Sequence, residues 1–304
     1  MLSTSPKTRV RKILVAAGAA VLVAAGLPVN AAQAAPRHHT LAYYQTQYSN
    51  GAYVSPLPLR GIATDVEVAA FHLNADGSVH LNDDPPADPK FDQMWADVAA
   101  LRSSGIKVHA LLGGAGRGSF ANLHNDFTRF YGLLRDVLRT YRFDGVDLDI
   151  EETFSLADTE RLIRQLRADF GAGFTVILTP VATDLAGTSS FSGGFSYRQL
   201  ERDLGGQISW YTGQFYCGWG SLGSTASYDA IVRNGFSPSR VLAGAVTNPA
   251  NCSGYVEPSR LASTLRKLVN KYPGFGGAAG WEYFNGLPSP ASWYANVRDA
   301  MGGS

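Results

Sequence analysis

The chain has 304 residues, with 26 Lys or Arg against 25 Asp or Glu, so its formal net charge is +1. That balance argues against nucleic acid or an anionic membrane as a partner, because both bind strongly basic surfaces. The length is sufficient for one large domain, such as an α/β barrel of roughly 200–250 residues.

The first part of the chain has the order of a secretory signal peptide. A basic stretch, Lys7–Lys12, precedes 15 apolar or small residues, Ile13–Leu27, and Ala32-Gln33-Ala34 follows as a small-residue cleavage site. A membrane anchor is the alternative, but a spanning helix needs about 20 apolar residues. We therefore expect residues 1–34 to be removed and residues 35–304 to form a secreted protein. Its net charge is −3, because the segment removed holds four basic residues and no acidic one.

Eight short runs of mainly apolar and β-branched residues recur along the remaining chain. Most are apolar almost without interruption, which is typical of strands buried on both faces of a sheet. The predicted strands are Leu41–Gln45, Val66–Phe71, Ile106–Leu112, Gly145–Glu151, Phe174–Pro180, Ile208–Phe215, Val241–Val246 and Gly277–Trp281.

Segments with the apolar spacing of amphipathic helices lie between most of these runs. They are Phe91–Arg102, Phe127–Tyr141, Leu156–Phe170 and Pro258–Tyr272. Directly after the first two strands, helical spacing is weak or absent. Strands that alternate with helices predict parallel βαβ units, and eight strands predict a closed, single-domain (β/α)8 TIM barrel. An open doubly wound sheet is disfavoured, because no G-x-G-x-x-G motif follows the first strand.

The fourth predicted strand alternates between apolar and acidic side chains. Because successive side chains of a strand point to opposite faces, we expect one face to pack on the helices and the other to place three carboxyls inside the barrel. The apolar face consists of Val146, Leu148 and Ile150. The acidic face consists of Asp147, Asp149 and Glu151. Asp144 and Glu152 lie off the acidic face, and Glu152 is expected to be structural.

The acidic face is a candidate catalytic site. Burial and like charge both raise carboxyl pKa values, so one or more of these acids should hold a proton near neutral pH. A protonated acid beside an ionised neighbour is what general acid catalysis requires. The alternatives are a calcium loop, which lacks the glycine and polar interleaving of an EF-hand, and pairing with buried basic side chains. No inward basic partner is apparent in the other predicted strands.

These residues resemble the signature of a known enzyme family. Asp144–Glu151 (DGVDLDIE) is similar to the D-G-x-D-x-D-x-E motif that family 18 glycoside hydrolases carry on the fourth barrel strand. His109–Phe120, with its consecutive glycines, resembles the third-strand segment of that family. Gln214–Tyr216 resembles the Q-x-Y after the sixth strand, and Gly280–Trp281 the tryptophan of the eighth. The resemblance covers nearly all of the chain that follows the signal segment.

The resemblance implies retaining, substrate-assisted hydrolysis, in which the N-acetyl carbonyl of the substrate attacks the anomeric carbon and forms an oxazolinium ion. Family 18 is in this respect an exception to the usual two-carboxylate scheme. By position, Glu151 would protonate the leaving oxygen and later activate water, and Asp149 would orient the acetamido group. Asp147 would share a proton or hydrogen bond with Asp149, and the Tyr216 hydroxyl would hold the acetamido oxygen.

The resemblance also implies substrate-binding residues. Gln214 would help to position the acetamido group, and Trp281 would stack beneath the sugar of the −1 subsite. Tyr44 aligns with a substrate-facing aromatic residue of the first strand, and Gly114 would leave room for the sugar. The structural alternatives are that Gln214 and Tyr216 only cap the sixth strand and that Trp281 only fills the barrel.

Family 18 includes chitinases, endo-β-N-acetylglucosaminidases that act on N-glycan cores, and binding or inhibitor proteins that have lost the acid. The intact Asp149–Glu151 pair disfavours an inactive binding or inhibitor module. The segments Trp210–Gly220 and Gly280–Gly286 look most like the small fungal endo-β-N-acetylglucosaminidases. We therefore expect the chitobiose core of an N-glycan as the substrate, with chitin or chito-oligosaccharides as the alternative.

Two cysteines, Cys217 and Cys252, suggest a disulfide in an exported protein, with two separate buried thiols as the alternative. Neither has the Cys or His spacing of a zinc site, and the His residues show no H-E-x-x-H motif, so we expect neither a metal nor a cofactor. The sequence has no G-x-S-x-G motif, so a serine nucleophile lacks support. A monomer is the default expectation.

Overall fold

The structure, a computed structural model, describes residues 1–5 and 38–303. The predicted signal peptide, residues 1–34, lies outside the described residues except for Met1–Ser5, and its removal stays a prediction. Among the described residues, no helix combines the length and the apolar character needed to cross a bilayer.

Eight parallel strands close into a barrel, which confirms the predicted fold. Each strand pairs with the next in the chain, and the first pairs with both the second and the eighth. Ala42 of the first strand, for example, lies between Val66 of the second and Gly280 of the eighth. The strands are β1 His39–Tyr44, β2 Asp65–Leu73, β3 Lys107–Gly113, β4 Gly145–Asp149, β5 Thr175–Leu178, β6 Trp210–Gln214, β7 Val241–Val246 and β8 Gly277–Trp281.

Nine α-helices lie within residues 38–303. They are α1 Asp92–Ser103, α2 Ser119–Asn125, α3 Phe127–Thr140, α4 Leu156–Phe170, α5 Ala182–Leu185, α6 Tyr197–Leu204, α7 Ala226–Arg233, α8 Pro258–Lys271 and α9 Pro290–Ala300. The four predicted helices are α1, α3, α4 and α8. Local capping explains several of their starts. Asp126 and Ser155 accept hydrogen bonds from backbone N–H groups of the first turns of α3 and α4, and Pro258 occupies the first turn of α8.

The connections after the first two strands are irregular. No α-helix follows β1 in the described chain; a hairpin of Tyr48–Ser49 and Ala52–Tyr53 and one 3-10 turn, Leu57–Leu59, lead to β2. After β2 the chain turns back as an antiparallel strand, Val79–Leu81, before α1 begins. These extended connections line a groove beside the pocket described below.

The core has an outer and an inner layer. Val146, Leu148 and Ile150 are fully buried in the outer layer, which lies between the strands and the helices, as their alternation predicts. The inner layer, inside the barrel, consists of Leu41, Tyr43, Ala69, Ala70, Leu111, Ile177, Trp210, Leu242 and Ala279. The acidic face of β4 therefore points into an interior that is largely apolar and shielded from water.

Candidate active site

A pocket of about 230 Å³ opens at the carboxyl ends of the barrel strands, the end at which TIM-barrel sites form. Asp149, Gln214 and Trp281 are the last residues of β4, β6 and β8, so the fold brings them together although they are distant in sequence. The predicted residues that line the pocket are Gly114, Asp149, Glu151, Gln214, Tyr216 and Trp281.

The three acids of β4 and its end become more exposed toward the pocket. Asp147 is fully buried, Asp149 is 8% exposed, and Glu151 is partly exposed. Burial raises the pKa of Asp147 to about 6, although hydrogen bonds from Thr179 and Glu67 oppose the rise. Burial, together with the charges of Glu151 and Asp147, raises the pKa of Asp149 well above its ordinary value. The site therefore retains protons on carboxyl groups at pH values where an exposed aspartate has lost them.

Hydroxyl groups from two strands surround Asp147. Thr179, directly after β5, donates a hydrogen bond to Asp147 Oδ2 at 2.5 Å. The Tyr43 hydroxyl of β1 lies 3.3 Å from the Thr179 hydroxyl oxygen and donates to it, because the Thr179 proton is already used on Asp147. Donors to a carboxylate favour its ionised form. The hydrogen bonds from Tyr43 to Thr179 and from Thr179 to Asp147 therefore oppose the rise in the pKa of Asp147 that burial causes.

Gln214 connects the two outer acids. Its side-chain Nε2 lies 3.2 Å from Asp149 Oδ1 and 3.1 Å from Glu151 Oε1. The same nitrogen donates to the Thr179 carbonyl oxygen at 3.0 Å, which fixes the amide in place. The side-chain amide of Gln214 is thus a hydrogen-bond donor shared by the Asp149 and Glu151 carboxyls. This contact goes beyond the alternative that Gln214 only caps β6.

Two aromatic side chains form a wall of the pocket. The rings of Tyr216 and Trp281 are stacked, with centroids 5.9 Å apart and planes inclined by 15°. The Trp281 indole nitrogen donates to Gln45 Oε1 at 3.0 Å, which fixes the orientation of the indole ring. Burial and the neighbouring charges of Asp149 and Glu151 raise the pKa of the Tyr216 hydroxyl well above its ordinary value, so this group remains a proton donor.

Two glycines after β3 allow the chain to pass close to Asp149. Gly113 has a φ of +98°, and a Cβ there would lie 2.5 Å from the Asp149 carbonyl oxygen. Gly114 has a φ of +81° and donates its backbone N–H to that oxygen at 2.9 Å. A Cβ on Gly114 would lie 3.4 Å from Asp149 Oδ2, at the pocket wall. Both positions therefore require glycine, on account of backbone conformation as well as space.

The prediction that Tyr44 faces the substrate is wrong. Its side chain is fully buried in the outer layer of the core, and its hydroxyl donates to the Val54 carbonyl oxygen at 2.6 Å. Tyr43 lines the pocket instead. The cause is strand parity, since a shift of one residue along β1 moves a side chain to the opposite face.

The expectation that no other strand places a basic side chain inside the barrel also needs a correction. His109 of β3 is fully buried inside the barrel, with Nε2 3.0 Å from Asp65 Oδ1, and His39 Nδ1 lies 2.7 Å from Asp65 Oδ2. Burial raises the pKa of Asp65, but the hydrogen bonds of His109 and His39 outweigh it and lower that pKa below its ordinary value. The basic groups are thus bonded to Asp65 and not to the acids of β4.

The two acids that flank the acidic face have structural roles. Glu152 accepts hydrogen bonds from the backbone N–H groups of Gly118 and Phe120 at 2.8–3.0 Å and so caps the start of α2. Asp144 accepts the backbone N–H of Val108 at 2.9 Å and lies 3.2 Å from the Lys107 ammonium group. Both outcomes agree with their predicted position off the catalytic face.

Cys217 and Cys252 form a disulfide, as predicted, with Cα atoms 5.5 Å apart. Cys217 follows Tyr216 directly and lines the pocket. Its backbone N–H donates to the Ser253 carbonyl oxygen at 2.9 Å, and a Cβ on Gly254 would lie only 3.1 Å from the Tyr216 Cα atom. The loop after β7 therefore packs against the backbone of Tyr216 and Cys217 and supports it.

Replacing both cysteines with serine is expected to lower the melting temperature and kcat together. The cross-link closes a loop of 35 residues, which corresponds to on the order of 3–4 kcal/mol of chain entropy, and it also holds Tyr216. Thermal unfolding and initial rates of the double variant check this, with Ser221→Ala in the same loop as the control. Thiol titration of the denatured, unreduced protein should find no free thiol. An unchanged melting temperature and kcat would contradict this role.

Several residues of the site escaped the sequence reasoning. Thr179 lies within the predicted fifth strand. Tyr43 could have been predicted from the alternation of side chains along β1, because it points to the face opposite Tyr44. Phe191 and Trp219 are in contact at the pocket, with ring centroids 4.7 Å apart and planes inclined by 31°; both lie in loops, where no periodicity marks them. Glu67 is fully buried next to Asp147, and its signal was a single acid within an otherwise apolar strand.

Comparisons with known proteins agree with this geometry. The family model described as "Glycosyl hydrolases family 18" matches residues 39–204. A fungal endo-β-N-acetylglucosaminidase from glycosyl hydrolase family 18 has a solved structure with 41% identity and a TM-score of 0.82, covering 86% of this chain and 96% of that one. Chitinase ChiC from Aspergillus fumigatus has 44% identity and a TM-score of 0.80, covering 87% and 99%.

Sequence relatives are more distant. Endochitinase 37 of Trichoderma harzianum is 24% identical over 230 residues, which is 66% of each of the two chains. The chain thus spans just under two thirds of the length of that relative.

Proposed function

The chain belongs to family 18 of the glycosyl hydrolases, and from this we propose that it is a secreted, retaining glycosidase that cleaves the GlcNAc-β-1,4-GlcNAc linkage with the help of the acetamido group of its substrate. The observation that carries the proposal is the pair of carboxyls, Asp149 and Glu151, joined through Gln214 at 3.2 and 3.1 Å. They face the same pocket as the hydroxyl of Tyr216 and the indole of Trp281.

Glu151 is the general acid and base of the proposed reaction. As the bond between the anomeric carbon and the glycosidic oxygen breaks, its electron pair stays on that oxygen, which takes the proton of Glu151. The acetamido carbonyl oxygen forms a bond to the anomeric carbon from the opposite face, which gives an oxazolinium ion. Ionised Glu151 then accepts a proton from water as the water attacks the anomeric carbon and restores the acetamido group. Two inversions at one carbon give retention.

Asp149 and Tyr216 orient the acetamido group in this scheme. The oxazolinium ion carries a positive charge next to an N–H group, and in this proposal the Asp149 carboxyl, which lines the pocket, binds that group. The Tyr216 hydroxyl donates to the acetamido oxygen, which fixes it for attack. Electrostatic complementarity of this kind accelerates a reaction because it binds the transition state more strongly than the ground state.

An N-glycan chitobiose core is the proposed substrate, because the pocket continues into a polar groove. This polar groove, of about 900 Å³, is formed by the connections after β1, β2 and β3 and shares Gln45, His72 and Gly116 with the pocket. Asn74, Asp83 and Arg117 are among the side chains that line it. Charged and amide groups suit the many hydroxyls of a branched mannose-containing arm. The activity is then that of an endo-β-N-acetylglucosaminidase.

A chitinase is the alternative, and the likeness to chitinase ChiC supports it. One enzyme preparation tested on a high-mannose glycoprotein and on a soluble chitin oligomer separates the two. Release of the intact glycan with one GlcNAc left on the protein supports the endo-β-N-acetylglucosaminidase, whereas cleavage of the chitin oligomer alone supports the chitinase. Binding of either sugar without any turnover would support an inactive binding or inhibitor module.

Arg117→Ala and Asp83→Ala are each expected to lower kcat/KM for the glycoprotein by roughly fivefold or more, which is about 1 kcal/mol of lost binding. Turnover of a small chitobiose glycoside should stay unchanged, because it does not reach the polar groove. Arg164→Ala, which removes an exposed arginine of α4 paired with Glu160, is the control. Equal losses on both substrates would contradict a role for the polar groove in glycan binding.

A further inference from the structure

A fourth buried carboxyl, Glu67 of β2, lies beneath the three acids of the catalytic face. It is fully buried, and no N–H or hydroxyl group among the described residues donates a hydrogen bond to either of its oxygens. Asp147 Oδ1 lacks a partner in the same way. The two side chains are nevertheless within hydrogen-bonding reach of each other. Two ionised, unpaired carboxylates in contact inside a protein are strongly unfavourable, so the pair must hold a proton.

The proton belongs on Glu67. Asp147 already receives a hydrogen bond from Thr179 at Oδ2, and donors favour the ionised form of a carboxylate. Burial, followed by the charge of Asp147, raises the pKa of Glu67 well above its ordinary value. With the proton on Glu67, its hydroxyl donates to Asp147 Oδ1, and the one oxygen of Asp147 that lacked a partner is satisfied.

The titratable groups that face this pair come from the neighbouring strands and from one helix. They are Tyr43 of β1, Asp65 of β2, His109 of β3, Asp149 of β4, Tyr197 of α6 and Tyr216 after β6. Asp65 is already hydrogen-bonded to His39 and His109. Tyr43 donates toward Thr179. The remaining carboxyl next to Asp147 is Asp149, two residues further along the same face of β4, and burial, the charge of Glu151 and the charge of Asp147 all raise its pKa.

We propose that Glu67 is a positioning residue that acts through Asp147: as a neutral carboxylic acid it donates to Asp147 Oδ1 and keeps Asp147 ionised, as the carboxylate that can accept the proton of Asp149. Loss of the Glu67 donor moves a proton onto Asp147, and Asp149 then has no neighbouring carboxylate that can take its proton. Asp149 therefore stays neutral when the oxazolinium ion forms. The effect on turnover rests on the proposed function; the protonation state of Glu67 does not.

Two substitutions of Glu67 distinguish the effect of its hydrogen-bond donor from the effect of its side-chain volume. Glu67→Gln keeps a donor of nearly the same size, so kcat should stay within about threefold of the parent and the acid limb of its pH profile should not move. Glu67→Leu removes the donor, so kcat should fall by about tenfold or more with little change in KM. Its acid limb should shift to higher pH, because removal of a hydrogen bond that lowers the pKa of Asp147 raises that pKa above about 6.

Asp97 provides the matched control. It is also a buried acid, but it accepts hydrogen bonds from Ser55 and Gln93 outside the barrel interior. Asp97→Asn and Asp97→Leu should change the melting temperature and leave the pH profile of kcat in place. The inference is overturned if Glu67→Leu keeps the parent kcat and acid limb, or if Glu67→Gln loses as much activity as Glu67→Leu.

An infrared measurement tests the proton without any need for activity. The full-length protein at pH 7 should show a carboxylic acid C=O band that is absent from Glu67→Gln and present in Asp149→Asn. Absence of a Glu67-dependent band would overturn the inference even if Glu67→Leu does not fold. A Glu67-dependent band in a protein that cleaves no GlcNAc linkage would leave this inference standing and refute the proposed function instead.

Discussion

Glu151→Gln is expected to reduce hydrolysis of every GlcNAc-containing substrate by on the order of 10³-fold or more, since the substituted amide cannot protonate the leaving oxygen or accept a proton from water. Glutamine has nearly the same size as glutamate and still accepts the hydrogen bond of Gln214 that now reaches Glu151 Oε1. The melting temperature should therefore stay close to that of the parent. Initial rates and a thermal unfolding curve from one preparation give both results.

Glu152→Gln is the matched control for that variant. The neighbouring acid accepts three backbone hydrogen bonds at the start of α2, so its replacement weakens a helix cap and lowers the melting temperature while the chemistry continues. The account predicts opposite patterns for the two adjacent glutamates. Near-normal turnover by Glu151→Gln, or a loss in Glu152→Gln as large as in Glu151→Gln, would contradict the assignment of the general acid.

Asp149→Asn is expected to lower kcat by on the order of 10²-fold or more, because an asparagine cannot give up a proton to Asp147 and so gives no negative charge next to the oxazolinium ion. It should also stabilise the fold near neutral pH. Burial, with the charges of Glu151 and Asp147, raises the pKa of Asp149 in the folded protein above its ordinary value. Stability therefore falls as the pH rises above about 4, where the unfolded chain begins to release this proton and the folded chain does not. Asparagine does not titrate, so the Asp149→Asn variant does not lose stability in this way as the pH rises.

The melting-temperature difference between Asp149→Asn and the parent should therefore increase from pH 4 upward and disappear below it. Asp158 is the contrast, because its carboxylate accepts a hydrogen bond from Ser155 and lies 2.8 Å from His124 Nδ1 at the start of α4. Asp158→Asn should reduce stability at neutral pH and leave kcat unchanged. A destabilised Asp149→Asn variant with normal kcat would show that Asp149 is a structural residue.

The fold was predictable because most of the barrel strands are apolar on both faces. Runs such as Val241–Val246 coincide with the observed strand, and the capped or strongly periodic helices α3, α4 and α8 appear within a residue or so of their predicted bounds. Helices such as α5, with four residues, and α6, with eight, escaped prediction. Two turns or fewer carry too little periodicity to be distinguished from a loop.

The site residues that lie on one strand could be predicted from the sequence. Those that are brought together only by tertiary contacts were harder to predict. The alternation in β4 identified correctly the face that points into the barrel, since side chains of one parity must point the same way. In β1 the choice between Tyr43 and Tyr44 depended on register, and the resemblance selected the wrong parity. Phe191 and Trp219 come together from separate loops, and Glu67 gains its significance only from its contact with Asp147. No spacing within the sequence shows such contacts.

The central claim is that the substrate's own acetamido oxygen attacks the anomeric carbon in this pocket. The most direct test is the rate of glycoside cleavage for substrates whose −1 sugar carries N-acetyl, N-fluoroacetyl, N-difluoroacetyl or N-trifluoroacetyl groups. Fluorine withdraws electrons from the carbonyl oxygen and weakens it as a nucleophile. The account predicts that kcat falls steadily along the series, by about tenfold or more in total, which is about 1.4 kcal/mol in the barrier. A kcat that is the same for all four substrates would contradict it.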